Sequence, residues 1–243
     1  MKKSTYEKRA KIANDVMNYI YKYIDTNINI DDLSLQLNIS KFHLHRVFKE
    51  EFGKNIYESI KSIRLEKAAN LLITNKFSTI TNISNMTGYS SQTSFLRAFK
   101  QRFSMTPKEW KNGGYKEYSN KIIEKISISN DLDFSNIEPT IVKMPQMRGY
   151  YIRHKGYDKS IKKTWAKLQT WIYTNDIKSY KQMALHHDNP IITPLNECQY
   201  IAIAVLDENE ELKNLSLPTL VIPKGIYAKF SLSGKYGDVI KLI

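Results

Sequence analysis

The sequence contains very little cysteine and no long apolar run. Cys198 is the only cysteine among 243 residues, so no disulfide can form within the chain and a reducing compartment is expected. No stretch of about 18 apolar residues is present, so we expect no membrane-spanning helix. The N-terminal sequence MKKSTYEKRAK is not followed by the apolar core of a signal peptide. These absences predict a soluble cytoplasmic protein.

The sequence also lacks the signatures of common catalytic sites. It contains no GxSxG motif, no P-loop and no spaced set of cysteines and histidines. His186 and His187 are adjacent in a predicted strand, where successive side chains point to opposite faces, so they do not easily share one metal ion. We therefore expect a protein that is not an enzyme and that needs no cofactor or metal.

Acidic residues are too few to balance the basic ones, and the net charge is +13. Residues 1–120 contain 20 lysines and arginines against 11 acidic residues, whereas residues 121–243 contain 17 against 13. The charge indicates a polyanionic partner, although charge alone does not separate nucleic acid from a membrane surface. A chain of this length accommodates two domains, and the basic excess lies mainly in the first half.

Residues 79–110 have the pattern of a short helix, a tight turn and a second helix. Gly88 lies in the turn, where the first helix must end in a left-handed conformation that glycine adopts without strain. The second helix starts near Ser91, and its buried stripe is formed by Phe95, Ala98, Phe99 and Phe103. Its other face carries groups that reach bases and phosphates: Gln92, Thr93, Leu96, Arg97 and Lys100. This pattern predicts a helix-turn-helix.

The same pattern occurs about 51 residues upstream. A short apolar helix starts at Ile30, and Asn38 replaces the turn glycine, because asparagine also tolerates the left-handed conformation. The buried stripe of the following helix aligns with that of the later copy: Leu44, Val47, Phe48 and Phe52. The exposed face of this helix carries Lys41, Phe42, His45, Arg46 and Lys49. The chain is thus predicted to contain two recognition helices.

The paired pattern closely resembles the AraC/XylS family of bacterial transcription regulators over roughly residues 8–112. The resemblance is carried by Gly88-Tyr89-Ser90-Ser91, by Phe95, Phe99, Lys100 and Phe103, and by Thr106-Pro107. It implies an all-α DNA-binding domain, here 1–114, that activates promoters through contact with RNA polymerase. Because one chain supplies both recognition helices, we expect a monomer to bind an asymmetric site on double-stranded DNA.

A predicted helix over Asn55–Thr74 connects the two copies. It is about 30 Å long at 1.5 Å per residue, close to the roughly 34 Å of one turn of B-DNA. Such a rod could hold the recognition helices in successive major grooves, and it could equally be a core element.

Each candidate DNA contact has a plainer alternative. Arg46 and Arg97 either contact base edges or phosphates, or they are solvated surface residues. The polar residues that begin the later recognition helix contact bases, or they cap that helix. Phe42 and Leu96 meet a thymine methyl group or a sugar, or they pack onto their own domain. The lysines contact phosphates in a salt-sensitive manner, or they form a generic basic surface.

From Glu138 onward the pattern changes to short strands around one helix, Ser160–Asn175, which predicts an α+β domain over 138–243. The predicted strands are Met147–His154, Lys181–His187, Gln199–Leu206, Thr219–Ile222 and Ile226–Ser233. A polar linker is predicted over 115–137, because the double glycine Gly113-Gly114 ends the preceding helix.

The second domain repeats internally. Pro145 lies eleven residues before Gly156 across a strand, and Pro223 stands in the same relation to Gly234. The first copy continues through a helix and two strands, whereas the second stops at Ile243. We therefore expect this domain to lack its C-terminal part.

This region resembles the GyrI-like small-molecule-binding domain, an SHS2 repeat, found beside AraC-type domains in Rob-like regulators. The resemblance is carried by Met144-Pro145, Arg153–Tyr157, the Trp165–Trp171 helix and His187–Pro190. It implies a small lipophilic or cationic effector between the two pseudo-repeats. Aromatic residues could line a cleft for such a ligand, since aromatic faces attract cations, and Tyr151 and His187 are the candidate contacts. The alternative for the aromatic residues is plain core.

Three functions remain open at this point. The favoured one is a sequence-specific DNA-binding transcription regulator, modulated by such an effector. The alternative is a ligand-sequestering or hydrolytic GyrI-like module in which DNA binding is secondary. The third is a decayed regulator whose second domain has lost its role.

Overall fold

The computed structural model describes residues 3–124, 138–206 and 217–231. The chain divides into two compact units, residues 1–120 and 121–243, called here the first and second domains. The first is helical and the second is built on strands, which confirms the predicted fold class of an all-α domain followed by an α+β domain. The predicted second half-repeat from Gly234 to Ile243 lies outside the described residues.

The first domain contains both predicted helix-turn-helix motifs. Helix α1 spans Lys3–Lys22. The first motif is α2 (Ile30–Gln36) with α3 (Lys41–Phe52), and the second is α5 (Ile80–Met86) with α6 (Gln92–Phe103). Helix α4 (Ile56–Thr74) joins them, and α7 (Pro107–Glu109) follows α6. None of the helices in the described part of the chain is both long and apolar enough to cross a membrane.

The two predicted turn residues have their expected geometry, and the structure adds helix caps beside them. Asn38 and Gly88 adopt left-handed conformations with φ of 51° and 76°, so both first helices end as the sequence predicts. The equivalent residues Ser40 and Ser91 cap α3 and α6, and their hydroxyl oxygens accept hydrogen bonds from backbone N–H groups in the first turn. Asn55 starts α4 with a capping box. The two motifs are therefore built by the same local chemistry.

The C-terminal end of the first domain departs from prediction. Gly113 has φ of 112°, but it only kinks the chain within a π-helical turn, Trp110–Gly114. Helix α8 (Tyr115–Ile123) follows at once, because a single left-handed glycine redirects a helix without preventing a new one. The compact domain therefore extends to Asn120, and the expected linker begins as a helix. The part of the linker from 125 to 137 lies outside the described residues.

The second domain has a four-stranded antiparallel sheet in the order β3-β4-β2-β5. The elements are β1 (Thr140–Met144), β2 (Met147–Lys155), α9 (Ile161–Thr174), β3 (Tyr180–His186), β4 (Gln199–Leu206), β5 (Thr219–Ile222) and β6 (Gly225–Lys229). Strands β1 and β6 pair separately, and the sequence pattern did not predict β1. Helix α9 packs on β2 and β4, and the residues 200–205 of β4 are buried throughout.

Candidate nucleic-acid interface

Helix α6 exposes the face that the sequence predicts. The stripe formed by Phe95, Ala98, Phe99 and Phe103 is buried. The opposite face is open to solvent and consists of Gln92, Thr93, Leu96, Arg97 and Lys100. Within the described part of the chain, Arg97 has no ion-pair partner, so its guanidinium is available to an external group.

Helix α3 exposes an equivalent face. Lys41, Phe42, Arg46 and Lys49 are exposed, and Phe42 is 77% exposed despite its apolar ring. His45 is only half-exposed, because its ring lies 5.7 Å from the ring of Tyr57 on α4. The prediction that Phe42 points outward is confirmed, whereas the position of His45 favours packing at the edge of the face.

Two cations of α3 have partners within the protein. Lys41 forms an ion pair with Asp31 of α2. Arg46 Nη2 lies 3.1 Å from His43 Nδ1, and Arg46 Nε lies 4.0 Å from a carboxylate oxygen of Glu50. Such exposed pairs contribute about 0–1 kcal/mol, so a phosphate can replace the carboxylate. The face of α3 is thus partly neutralised, whereas Arg97 on α6 has no ion-pair partner among the described residues.

Glu109, whose carboxylate is influenced by Lys100 of α6, is engaged in a cap. The Thr106 backbone N–H and hydroxyl donate to the Glu109 carboxylate at 2.7 and 2.8 Å and hold its pKa below the usual range, with a smaller contribution from Lys100. This carboxylate completes the capping box at the N-terminus of α7, and proline at the first position of that helix is also favourable. Glu109 therefore has a structural role beside the basic face.

Helix α4 carries both motifs. Its 19 residues span about 28 Å at 1.5 Å per residue. On the side of the second motif, Lys61 Nζ donates to Gln101 Oε1 at 2.9 Å, and Trp110 Nε1 donates to the Ala69 carbonyl at 3.1 Å. Trp110 is fully buried against Phe99 and Phe103. At the other end of α4, Ile56 and Ile60 are buried together with Leu44 and Phe48 of α3. Helix α4 therefore packs with residues of both motifs.

Comparison with known proteins identifies the family. A family model described as a helix-turn-helix domain matches residues 33–113, and one described as a GyrI-like small molecule binding domain matches residues 137–243. The "Probable transcription factor PqrA" of Proteus vulgaris is 36% identical over 109 residues, which are 42% of this chain and 88% of that protein. The chain belongs to the AraC/XylS family.

Other relatives are also similar to part of this AraC/XylS-family chain. The "Xylose operon regulatory protein" of Escherichia coli K12 is 38% identical over 96 residues, which are 40% of this chain and 24% of that protein. The "Transcriptional regulator Rob" of Salmonella typhimurium is 34% identical over 100 residues, 41% of this chain and 34% of that protein. The solved C-terminal domain of AraT, a response regulator from Geobacillus stearothermophilus, is 27% identical, covers 51% of this chain and 92% of that chain, and has a TM-score of 0.40. The chain spans about a quarter of the xylose regulator.

The two predicted effector contacts differ in burial within the GyrI-like domain: Tyr151 is buried, whereas His187 is half-buried. Tyr151 is fully buried with Ile201, Ile203 and Val205 on one side of the sheet. The Arg153 guanidinium carbon lies 5.8 Å from the centroid of the Tyr151 ring, where a cationic ligand would otherwise stack. The burial of Tyr151 favours the core interpretation for that ring over the effector-contact interpretation.

His187 is half-buried, and its Nε2 atom is inaccessible to solvent. Burial, together with the nearby charge of Arg153, lowers the pKa of His187 to about 3, so its imidazole is neutral at pH 7. His186 lies between the rings of Tyr157 and Tyr200, at 4.8 and 5.0 Å. The described residues contain no cluster of three or more His, Cys, Asp or Glu that could hold a metal ion.

One functional candidate in the first domain, Arg64, was missed in the sequence analysis. Arg64 of α4 donates two hydrogen bonds to backbone carbonyls of the α1–α2 turn and contacts the turn of the second motif. The only sequence signal is a cation on the partly inward side of a predicted core helix, which does not reveal partners almost 40 residues away.

Proposed function

We propose that the protein is a sequence-specific DNA-binding transcription regulator that places α3 and α6 in successive major grooves of one duplex. The observation that carries this proposal is the repetition of one structure: a buried apolar stripe, an opposite face of polar and basic groups, and a common rod, α4. Membership of the AraC/XylS family supports it, as does the basic excess of residues 1–120.

The proposed roles follow from side-chain chemistry. Arg46 and Arg97 contact guanines, since a guanidinium can donate two hydrogen bonds to that base. Phe42 and Leu96 contact thymine methyl groups or sugars. The remaining members of the proposed interface contact bases or phosphates or support those contacts: Lys41, His45, Lys49, Ser91, Gln92, Thr93 and Lys100.

Further properties belong to the same proposal. One chain binds one asymmetric site, because it supplies both recognition helices. It acts in the cytoplasm, where bacterial promoters are, and activates through RNA polymerase. The cytoplasmic location and the contact with RNA polymerase are what membership of the AraC/XylS family implies, and the chain covers only 24% of the xylose regulator and 34% of Rob.

Replacing the two arginines tests the proposed readout. We expect Arg46→Ala and Arg97→Ala each to weaken binding to a duplex selected by the wild type by roughly 5- to 150-fold, which corresponds to about 1–3 kcal/mol for one arginine–guanine contact. Fluorescence anisotropy with labelled duplexes measures this, and sedimentation of the complex gives the number of chains per duplex.

Arg148→Ala is the matched control, because Arg148 is an exposed arginine of the second domain. Its affinity for the selected duplex should equal that of the wild type. If neither recognition-helix variant loses affinity relative to this control, the assigned readout is wrong.

We also propose that the GyrI-like domain binds a small lipophilic molecule that modulates DNA binding. The family-model match over residues 137–243 supports a ligand, and the position of Arg153 beside Tyr151 disfavours a cation at that ring. Calorimetry with a panel of neutral and cationic lipophilic compounds, repeated with DNA present, tests this. Binding that leaves DNA affinity unchanged, or turnover of a compound, would instead favour a sequestering or hydrolytic module.

A further inference from the structure

Arg64 lies at the place where the two helix-turn-helix motifs meet. Its Nε donates to the carbonyl of Ile24 at 3.0 Å, and its Nη2 donates to the carbonyl of Thr26 at 2.6 Å. Both carbonyls belong to the turn that follows α1 and precedes α2. Arg64 therefore ties α4 to the entrance of the first motif.

The same guanidinium contacts the second motif. A Cβ atom placed on Gly88 would lie 2.7 Å from the Ile24 carbonyl oxygen and 2.8 Å from Arg64 Nη2. The turn between α5 and α6 is thus packed directly on Arg64 and on the carbonyl that Arg64 binds. The Arg64 guanidinium carbon also lies 6.0 Å from the Tyr89 ring centroid, and that ring contacts Phe95 in the first turn of α6.

The chemistry of this junction suits arginine. Carbonyls beyond the end of a helix lack intrahelical donors, and a cation there also interacts favourably with the helix dipole. A guanidinium presents its donors in a rigid planar fork, so two bound carbonyls fix its orientation. A lysine ammonium has no such plane, so it cannot hold the two carbonyls and the Tyr89 ring in fixed positions in the same way.

We propose that Arg64 is a positioning residue that fixes the spacing and orientation of α3 relative to α6 without contacting DNA. Helix α1 packs on α3, so the α1–α2 turn moves with the first recognition helix, whereas Gly88 and Tyr89 move with the second. The relevance of this spacing rests on the proposed function, in which both helices bind one duplex.

The first experiment measures the geometry without DNA. Nitroxide labels on Gln36→Cys and Asn85→Cys, in a Cys198→Ser background, report the distance between the exposed faces of α2 and α5 by pulsed electron paramagnetic resonance. We expect one narrow distance distribution for the doubly labelled wild type. The control is Lys67→Met, which removes a cation about one turn later on α4 and should give the same narrow distribution. Arg64→Met should give a broadened or shifted distribution. An unchanged distribution overturns the proposal, whether or not the protein binds DNA.

The second experiment measures the consequence on DNA. One base pair inserted between the two preferred half-sites turns them by about 35°, so wild-type affinity should fall roughly tenfold or more, whereas that of Arg64→Met should fall less than about threefold. Base preference within each half-site should be retained. Equal spacing penalties for both proteins overturn the proposal, whereas a broadened distance distribution without DNA binding overturns only the proposed function.

Arg64→Lys keeps the experiment interpretable if Arg64→Met folds poorly. Lysine retains the charge but not the fork, so an intermediate distance distribution and spacing penalty are expected at a near-wild-type melting temperature. A spacing penalty and distance distribution identical to the wild type in this variant would show that the fork geometry is not needed.

Discussion

Gly88 combines two constraints at one residue. Its φ of 76° is unfavourable for residues with a Cβ atom, and that atom would also overlap the Ile24 carbonyl and Arg64. Gly53 has a similar φ of 70°, but a Cβ atom at that position would meet no atom of the described residues within 4 Å. A comparison of substitutions at the two glycines therefore distinguishes the cost of backbone strain from the cost of steric crowding.

We expect Gly88→Ala to lower the free energy of unfolding by more than Gly53→Ala does. Strain from a left-handed non-glycine residue costs roughly 1–2 kcal/mol in both variants, and crowding adds to it only at Gly88. Urea denaturation of the two variants measures the difference. Equal losses would contradict the close packing of the second turn on Arg64.

The low pKa of His187 predicts how the stability of the second domain changes as the pH falls. Burial first, and Arg153 second, lower its pKa to about 3, whereas an unfolded histidine titrates near 6.5. Between these values the unfolded chain binds a proton that the folded chain does not, so stability is lost as pH falls from about 6.5 toward 3. The slope is at most about 1.4 kcal/mol per pH unit for this one group.

His187→Gln should therefore flatten the loss of unfolding free energy of the second domain between pH 7 and pH 5. The comparison is chemical denaturation followed by tryptophan fluorescence in a Trp110→Phe background, since the two remaining tryptophans, Trp165 and Trp171, both lie on α9. His43→Gln in the first domain is the control and should leave that slope unchanged. A wild-type slope in His187→Gln would show that this imidazole is not held neutral by burial.

Residue-level prediction from sequence succeeded where the cause is local. Asn38 and Gly88 are recognisable because their backbone conformation depends on neighbours within a few positions. Arg64 was not recognisable, because its acceptors are carbonyls distant in sequence. Tyr151 was proposed as a ligand contact because strand alternation does not show that both faces of this sheet are covered.

At the scale of elements, α3 and α6 are equivalent in shape but not in charge. Lys41 at the start of α3 is paired with Asp31 of α2, so a phosphate must compete with a carboxylate there. The exposed Arg97 on α6 faces no such competitor among the described residues. We therefore expect the contribution of α3 to DNA affinity to be reduced by its own acid.

Asp31→Asn should strengthen DNA binding, because it releases Lys41 and removes a negative charge near the phosphates. One additional effective phosphate contact steepens the dependence of log affinity on log salt by about 0.9. Asp32→Asn is the matched control, since Asp32 is also exposed in the first turn of α2. Equal effects of the two variants would mean that only net charge matters.

Helices were predictable as elements because their apolar stripes repeat over several turns, as in α4 and α6. Strand β1 was missed because it is short, lies between two prolines and is largely exposed, so it has no clear alternation. The continuation into α8 was missed because a double glycine usually ends a helix, whereas here Gly113 only redirects it.

At the scale of the whole molecule, we expect a single chain to read two half-sites at once. The parts that this reading needs are two recognition faces, the rod α4 and the Arg64 junction, all within residues 1–120. We expect neither recognition face to bind DNA stably on its own, because each would supply only part of the contacts of a stable complex.

The most direct measurement of simultaneous reading is a base-preference profile, obtained by sequencing random duplexes selected by the wild type, Arg46→Ala and Arg97→Ala. We expect the wild type to show two blocks of preferred bases centred about 10 base pairs apart, one turn of B-DNA. Arg46→Ala should flatten one block and Arg97→Ala the other. A single block, or two variants that flatten the same block, would contradict simultaneous reading by α3 and α6.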